Sequence, residues 1–181
     1  MQFSNVQYPI NYSPVPGDLF LTHSDTFFGK LIRFGESLRR PGRPSFFNHA
    51  GIVVDTNGDT IEAWGRGVVR KNLTIHKKVW VVPHKSDHPE DIVKFALSTE
   101  NNPYGWLDIA SITIRLLTGL GLSFHGSHSL ICSQLAAKAW EHGGWICPEL
   151  DTAAVMPADL AFWLMPKDTV LLAPVFFRNA D

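Results

Sequence analysis

The residue pattern predicts an α+β fold, an antiparallel sheet packed against helices, on three observations. Short apolar runs bounded by turn residues stand at 19–22, 49–54, 60–64 and 79–82. Residues at helical spacing dominate from position 88 onward, at 88–99, 106–120 and 132–142. Strand-type and helix-type segments are thus largely segregated rather than strictly alternating. The third observation is size: 181 residues with 45% hydrophobic content supply one real core and are too few for two comfortable domains. Residues 1–15 carry no sustained period and read as an N-terminal arm, leaving 16–181 as a single domain.

Each element has a local reason. Pro16-Gly17-Asp18 is a turn, and Leu19-Phe20-Leu21-Thr22 follows as a short strand. Ser24 or Asp25 caps a helix whose apolar face is Phe27, Phe28, Leu31, Ile32 and Phe34. A basic, proline-punctuated loop occupies 39–44 and reads as a solvated connection. The apolar run from His49 to Val54, the turn residues Thr56-Asn57-Gly58-Asp59 and the return through Trp64 form a hairpin. Further strands follow through Val68 and Val69 and at Val79-Trp80-Val81-Val82, where Pro83 stops the run. His88-Pro89-Glu90 opens a helix ending near Thr99, and a second runs over 106–120 until Gly119 and Gly121 interrupt it. The helix from Cys132 to His142 ends at Gly143-Gly144. A helical turn at Pro157-Ala158-Asp159-Leu160 and a strand near Val170-Leu171-Leu172 close the chain.

Composition excludes several classes. Hydrophobicity this high with a net charge of −1 is incompatible with disorder. The same charge balance gives no global positive field to recruit nucleic acid. The most apolar stretch, 107–124, is interrupted by Asp108 and Arg115, so no stable membrane span is expected. Cys132 and Cys147 are too few for a disulfide framework. The first residues lack the basic flank and apolar run of a secretory signal, so a cytoplasmic protein is expected, with export by lysis or a phage route.

The chemistry centres on Cys132. It starts a helix, where free amides and the dipole favour a thiolate and can later hold an oxyanion. A thiol nucleophile needs a base, and among eight histidines His49 stands out. It heads a rigid apolar strand beside the space left by Gly51. Glu62, on the returning strand, is a carboxylate in an apolar context that requires a partner; it could orient the imidazole. A two-residue Asn57-Gly58 turn would set Thr56 opposite Asp59 and Val53 opposite Glu62. His49 and Glu62 would then share a face but lie beyond hydrogen-bond reach. Their pairing requires a longer loop, a bulge or a tighter register around 55–57.

The order Pro16-Gly17-Asp18-Leu19, Gly29-Lys30-Leu31-Ile32-Arg33, Asn48-His49-Ala50-Gly51-Ile52-Val53 and Ile61-Glu62-Ala63 resembles the circularly permuted branch of the NlpC/P60 papain-like cysteine hydrolases. Pro103-Tyr104-Gly105-Trp106, Ile131-Cys132-Ser133-Gln134-Leu135 and Pro157-Ala158-Asp159-Leu160 extend the likeness over 16–165. In that branch the histidine precedes the cysteine, an arrangement shared with lecithin:retinol-acyltransferase-like proteins. The resemblance implies a permuted papain-like fold, Cys132 as nucleophile, His49 as base, Glu62 as orienting residue, and Tyr104 near the substrate pocket. The chain departs from the pattern at Gln134, where an acidic residue is common, and in its long 39–44 loop.

The function so implied is thiol-dependent hydrolysis of an amide or peptide bond through an acyl-enzyme. The expected substrate is a cell-wall peptide or another peptidoglycan fragment, and no cofactor is needed. Two alternatives are acyl transfer or thioester cleavage on lipid substrates by the same triad, and a catalytically retired binding module. A zinc set of His125, His128, Cys132 and Cys147 matches no common spacing, so no metal is expected.

Overall fold

The structure is a computed structural model that describes residues 12–23, 46–76, 79–105, 130–148, 152 and 155–164. Five strands, β1 (Leu19–Thr22), β2 (His49–Val53), β3 (Asp59–Trp64), β4 (Gly67–Asn72) and β5 (Val79–Val82), form one sheet in the order β4-β3-β2-β1-β5. Every pairing is antiparallel. Three α-helices are described: α1 (Pro89–Ser98), α2 (Cys132–His142) and α3 (Pro157–Leu164). The α+β class and the antiparallel sheet packed against helices are therefore as the sequence pattern predicts. The expected helices at 25–34 and 106–120, the loop at 39–44 and the strand at 170–172 lie outside the described residues.

Strand alternation explains the layering. Leu19, Leu21, Ala50, Ile52, Ile61 and Ala63 join the main core, together with Leu135, Ala136 and Ala139 of α2. Helix α2 packs across β2 and β3, and α1 and α3 pack against α2. Phe20 and Val53 point to the other face, where they meet Leu73, Val79 and Val81. The end of the expected arm is tied to that layer. Tyr12 donates its hydroxyl to Asp18 Oδ2 at 2.7 Å, and the backbone N–H of His84 donates to Asp18 Oδ1 at 3.0 Å. Burial raises the Asp18 carboxyl above its usual range, against the lowering effect of the Tyr12 and His84 contacts.

The β2–β3 hairpin corrects the register expected from a two-residue turn. Val53 pairs with Thr60 and Ile52 with Ile61, rather than Val53 with Glu62. The loop is longer because Asp55 organises it. Its Oδ1 accepts from the N–H groups of Asn57 and Asp59, both at 2.9 Å, and Gly58 turns the chain at φ +84°. Arg70 on β4 reaches both Asp55 and Asp59, fixing the loop to its neighbouring strand.

Candidate active site

The corrected register brings the base and the carboxylate together. Continuing the pairing sets Gly51 opposite Glu62 and leaves His49 on the adjacent diagonal. A Cβ on Gly51 would stand 2.9 Å from Glu62 Cγ and 2.6 Å from Phe20 Cε1, so only glycine leaves the carboxylate this path. Through that gap Glu62 Oε2 meets His49 Nε2 at 2.7 Å.

Glu62 is fully buried, and four donors converge on it. Oε2 receives the His49 bond and one from Trp64 Nε1 at 2.8 Å. Oε1 receives Thr60 Oγ1 at 2.6 Å and His76 Nε2 at 3.0 Å. A carboxylate offers about four acceptor positions, and all are used. Burial opposes the charged form of Glu62. The hydrogen bonds and charges of His49 and His76 outweigh it and hold the carboxyl far below its usual range.

Cys132 is the other partner of His49. The chain arrives at it extended: Leu130 bridges Tyr104 in parallel, and Ile131 has φ −95° and ψ 161°. It then coils directly into α2, so Cys132 is the first helical residue. Ile131 donates its N–H to Gln134 Oε1 at 3.2 Å, and Ser133 Oγ donates to the Val155 carbonyl at 2.6 Å. Gln134 thus braces the turn that carries the sulfur. Burial pushes the His49 imidazole down, but hydrogen bonds and charges from Cys132 and Glu62 prevail and raise it to about 10. With Nε2 committed to Glu62, Nδ1 is the nitrogen left for the sulfur.

Cys132, His49 and Glu62 are therefore linked in that order, with the His49 ring between the other two. Tyr104 lies close as well: burial, then the charge of Cys132, raises its hydroxyl above the ordinary tyrosine range. Access is narrow. Cys132 is 3% exposed and the His49 side chain 14%, while the Trp64 ring beside His49 is 41% exposed. Cys147 is half-buried and packs against the main core. His125 and His128 of the rival zinc set lie outside the described residues.

Sequence reasoning missed Thr60, Trp64 and His76. The first two were legible, because residues 60, 62 and 64 share one strand face. His76 was not. It follows the short 3₁₀ turn Leu73–Ile75, which Asn72 caps by accepting from the N–H of Thr74. Only the fold of that turn carries the ring back to Glu62. Among the described residues, His49, Glu62 and His76 form a group whose ligand atoms all lie within 4.8 Å of one another, compatible with a metal ion.

A scan of protein-family models finds no match to this chain, and a search of curated proteins finds no relative. The likeness to the permuted NlpC/P60 branch rests on the motifs themselves.

Proposed function

We propose that this protein is a thiol-dependent hydrolase of the permuted papain-like type, acting on an amide or peptide bond. The observation that carries the reading is the position of His49, set between the Cys132 thiol and a buried, four-fold hydrogen-bonded carboxylate. At neutral pH the raised His49 ring is an imidazolium able to balance a thiolate. The sulfur attacks the carbonyl carbon, forming a C–S bond while the π electrons pass to oxygen. Amides in the first turn of α2 have no intrahelical acceptor and can hold that oxyanion. Collapse breaks the C–N bond, and His49 gives its proton to the leaving amine. His49 then takes a proton from water, whose oxygen attacks the thioester and releases the acid and the thiolate.

Cell-wall peptides are the substrate class that the family resemblance suggests, and lipid acyl transfer uses the same steps with another acceptor. The 3% exposure of Cys132 favours a second reading, a retired enzyme acting as a binding module. Iodoacetamide at mildly acidic pH separates them. Selective alkylation of Cys132 over Cys147 supports the hydrolase, and equal sluggishness of both thiols supports the binding module. Muropeptides and short-chain phospholipids offered in parallel then distinguish hydrolysis from acyl transfer.

A further inference from the structure

The proposed mechanism uses His49 and Glu62 and leaves His76 with no chemical step. Yet His76 mirrors His49 across the same carboxylate. Each presents Nε2 to a different oxygen of Glu62, at 3.0 and 2.7 Å. Both rings are held in place. Phe20 lies edge-on to His49 and tilted against His76, and the Trp64 ring packs against both.

We propose that His49, Glu62 and His76 bind one zinc ion, which occupies the space between the two imidazoles and arrests the thiol chemistry. Two imidazole nitrogens and one carboxylate are a donor set for zinc, whereas calcium and magnesium demand oxygen throughout. A tetrahedral zinc with bonds near 2.1 Å separates its ligand atoms by about 3.4 Å. The separations here, from 2.7 Å to at most 4.8 Å, bracket that value, so small side-chain shifts accommodate the ion. The surrounding shell is already built. Thr60 Oγ1 and Trp64 Nε1 donate to the two oxygens of Glu62 and would keep orienting it once the histidine bonds are exchanged for metal bonds.

Binding requires the Nε2 lone pair of each ring, so the proton that His49 shares with Glu62 leaves to solvent. A metal-bound His49 then keeps its remaining proton on Nδ1, facing the sulfur. It can no longer pass that proton to a leaving group without becoming an imidazolate. Zinc would therefore hold the nucleophile in place and stop turnover. The inhibitory consequence rests on the hydrolase reading, whereas the binding does not.

The test reads metal directly. Full-length protein, freed of metal with a chelator, is titrated with Zn²⁺ against a chromophoric competitor, and with Co²⁺ by visible absorption. One ion per chain is expected, with the d–d intensity of four-coordinate cobalt and no thiolate-to-cobalt charge-transfer band. Cys132→Ala should still bind one ion per chain, no more weakly than the native protein, because the sulfur is not a ligand and its loss eases release of the His49 proton. His76→Gln should lose more than the roughly 10–100-fold that removal of an outer-shell partner costs. His76→Asn, checked with His76→Gln by circular dichroism, guards against misfolding. Absence of saturable binding, unchanged affinity in both folded His76 variants, or a charge-transfer band lost in Cys132→Ala would each overturn the site. A protein that binds zinc at these residues but never alkylates at Cys132 would refute the hydrolase reading and leave the metal site standing.

Discussion

Replacing Glu62 with glutamine separates the charge of the carboxylate from its geometry. The amide has nearly the same shape, but it offers one acceptor oxygen and a two-proton donor. Trp64 Nε1 can only donate, so the amide oxygen must take the Oε2 position, facing Trp64 and His49. The NH₂ group then faces Thr60 and His76, and both can accept, the hydroxyl by rotation and the imidazole by changing tautomer. Glu62→Gln should therefore fold, losing about 1–3 kcal/mol for a charge-assisted network reduced to a neutral one. The chemical effect should be larger. His49 loses one of the two partners that raise it to about 10, and an amide in place of an orienting carboxylate can lower turnover of such a triad by about 10⁴. The assay is the rate of iodoacetamide alkylation of Cys132 against pH, followed by mass spectrometry with Cys147 as internal control. In Glu62→Gln the rate below pH 7 should fall at least roughly tenfold, the equivalent of about 1.4 kcal/mol. An unchanged profile in a folded variant would refute the proposed link from carboxylate to imidazole to sulfur.

Other consequences follow from the same geometry. Gly51→Ala would drive a methyl group into Phe20 and Glu62, so it should cost about 1–3 kcal/mol in chemical denaturation and slow Cys132 alkylation by displacing the carboxylate. Stability should depend on pH through His49, which Cys132 and Glu62 raise, and through Glu62, which His49 and His76 lower. His49 is raised from 6.5 to about 10, so its contribution is complete below 6.5 and lost as pH climbs toward 10. Glu62 is lowered from 4.5, so its contribution is complete above 4.5 and lost as pH falls further. Denaturation midpoints should thus be highest between about pH 4.5 and 6.5, with a slope on the alkaline side of up to about 1.4 kcal/mol per pH unit. His49→Gln should flatten that limb, and an alkaline limb unchanged in His49→Gln would contradict the assignment.

The sequence revealed this site unevenly, for physical reasons. Strands β1, β2, β3 and β5 and helices α1 and α2 follow local apolar patterning with turn and cap residues, so they stand where the pattern predicts. The hairpin register depended on one side chain, Asp55, which gathers two backbone N–H groups and lengthens the loop. Reading Asn57-Gly58 as a two-residue turn ignored that competitor and moved Glu62 away from His49. Gly51 was legible as space, but what the space admits became clear only with the corrected pairing. Cys132 at a helix start and His49 at a strand start were visible one at a time. Their contact is a tertiary fact, and so is the return of His76 to Glu62.

The most direct measurement is the titration of the His49 ring by nuclear magnetic resonance of histidine-labelled protein, in the native chain and in Cys132→Ala. The account predicts that the native ring stays protonated far above pH 6.5, toward 10, and that removing the sulfur lowers its midpoint markedly. A native His49 that titrates at the same pH with and without the Cys132 sulfur would contradict it.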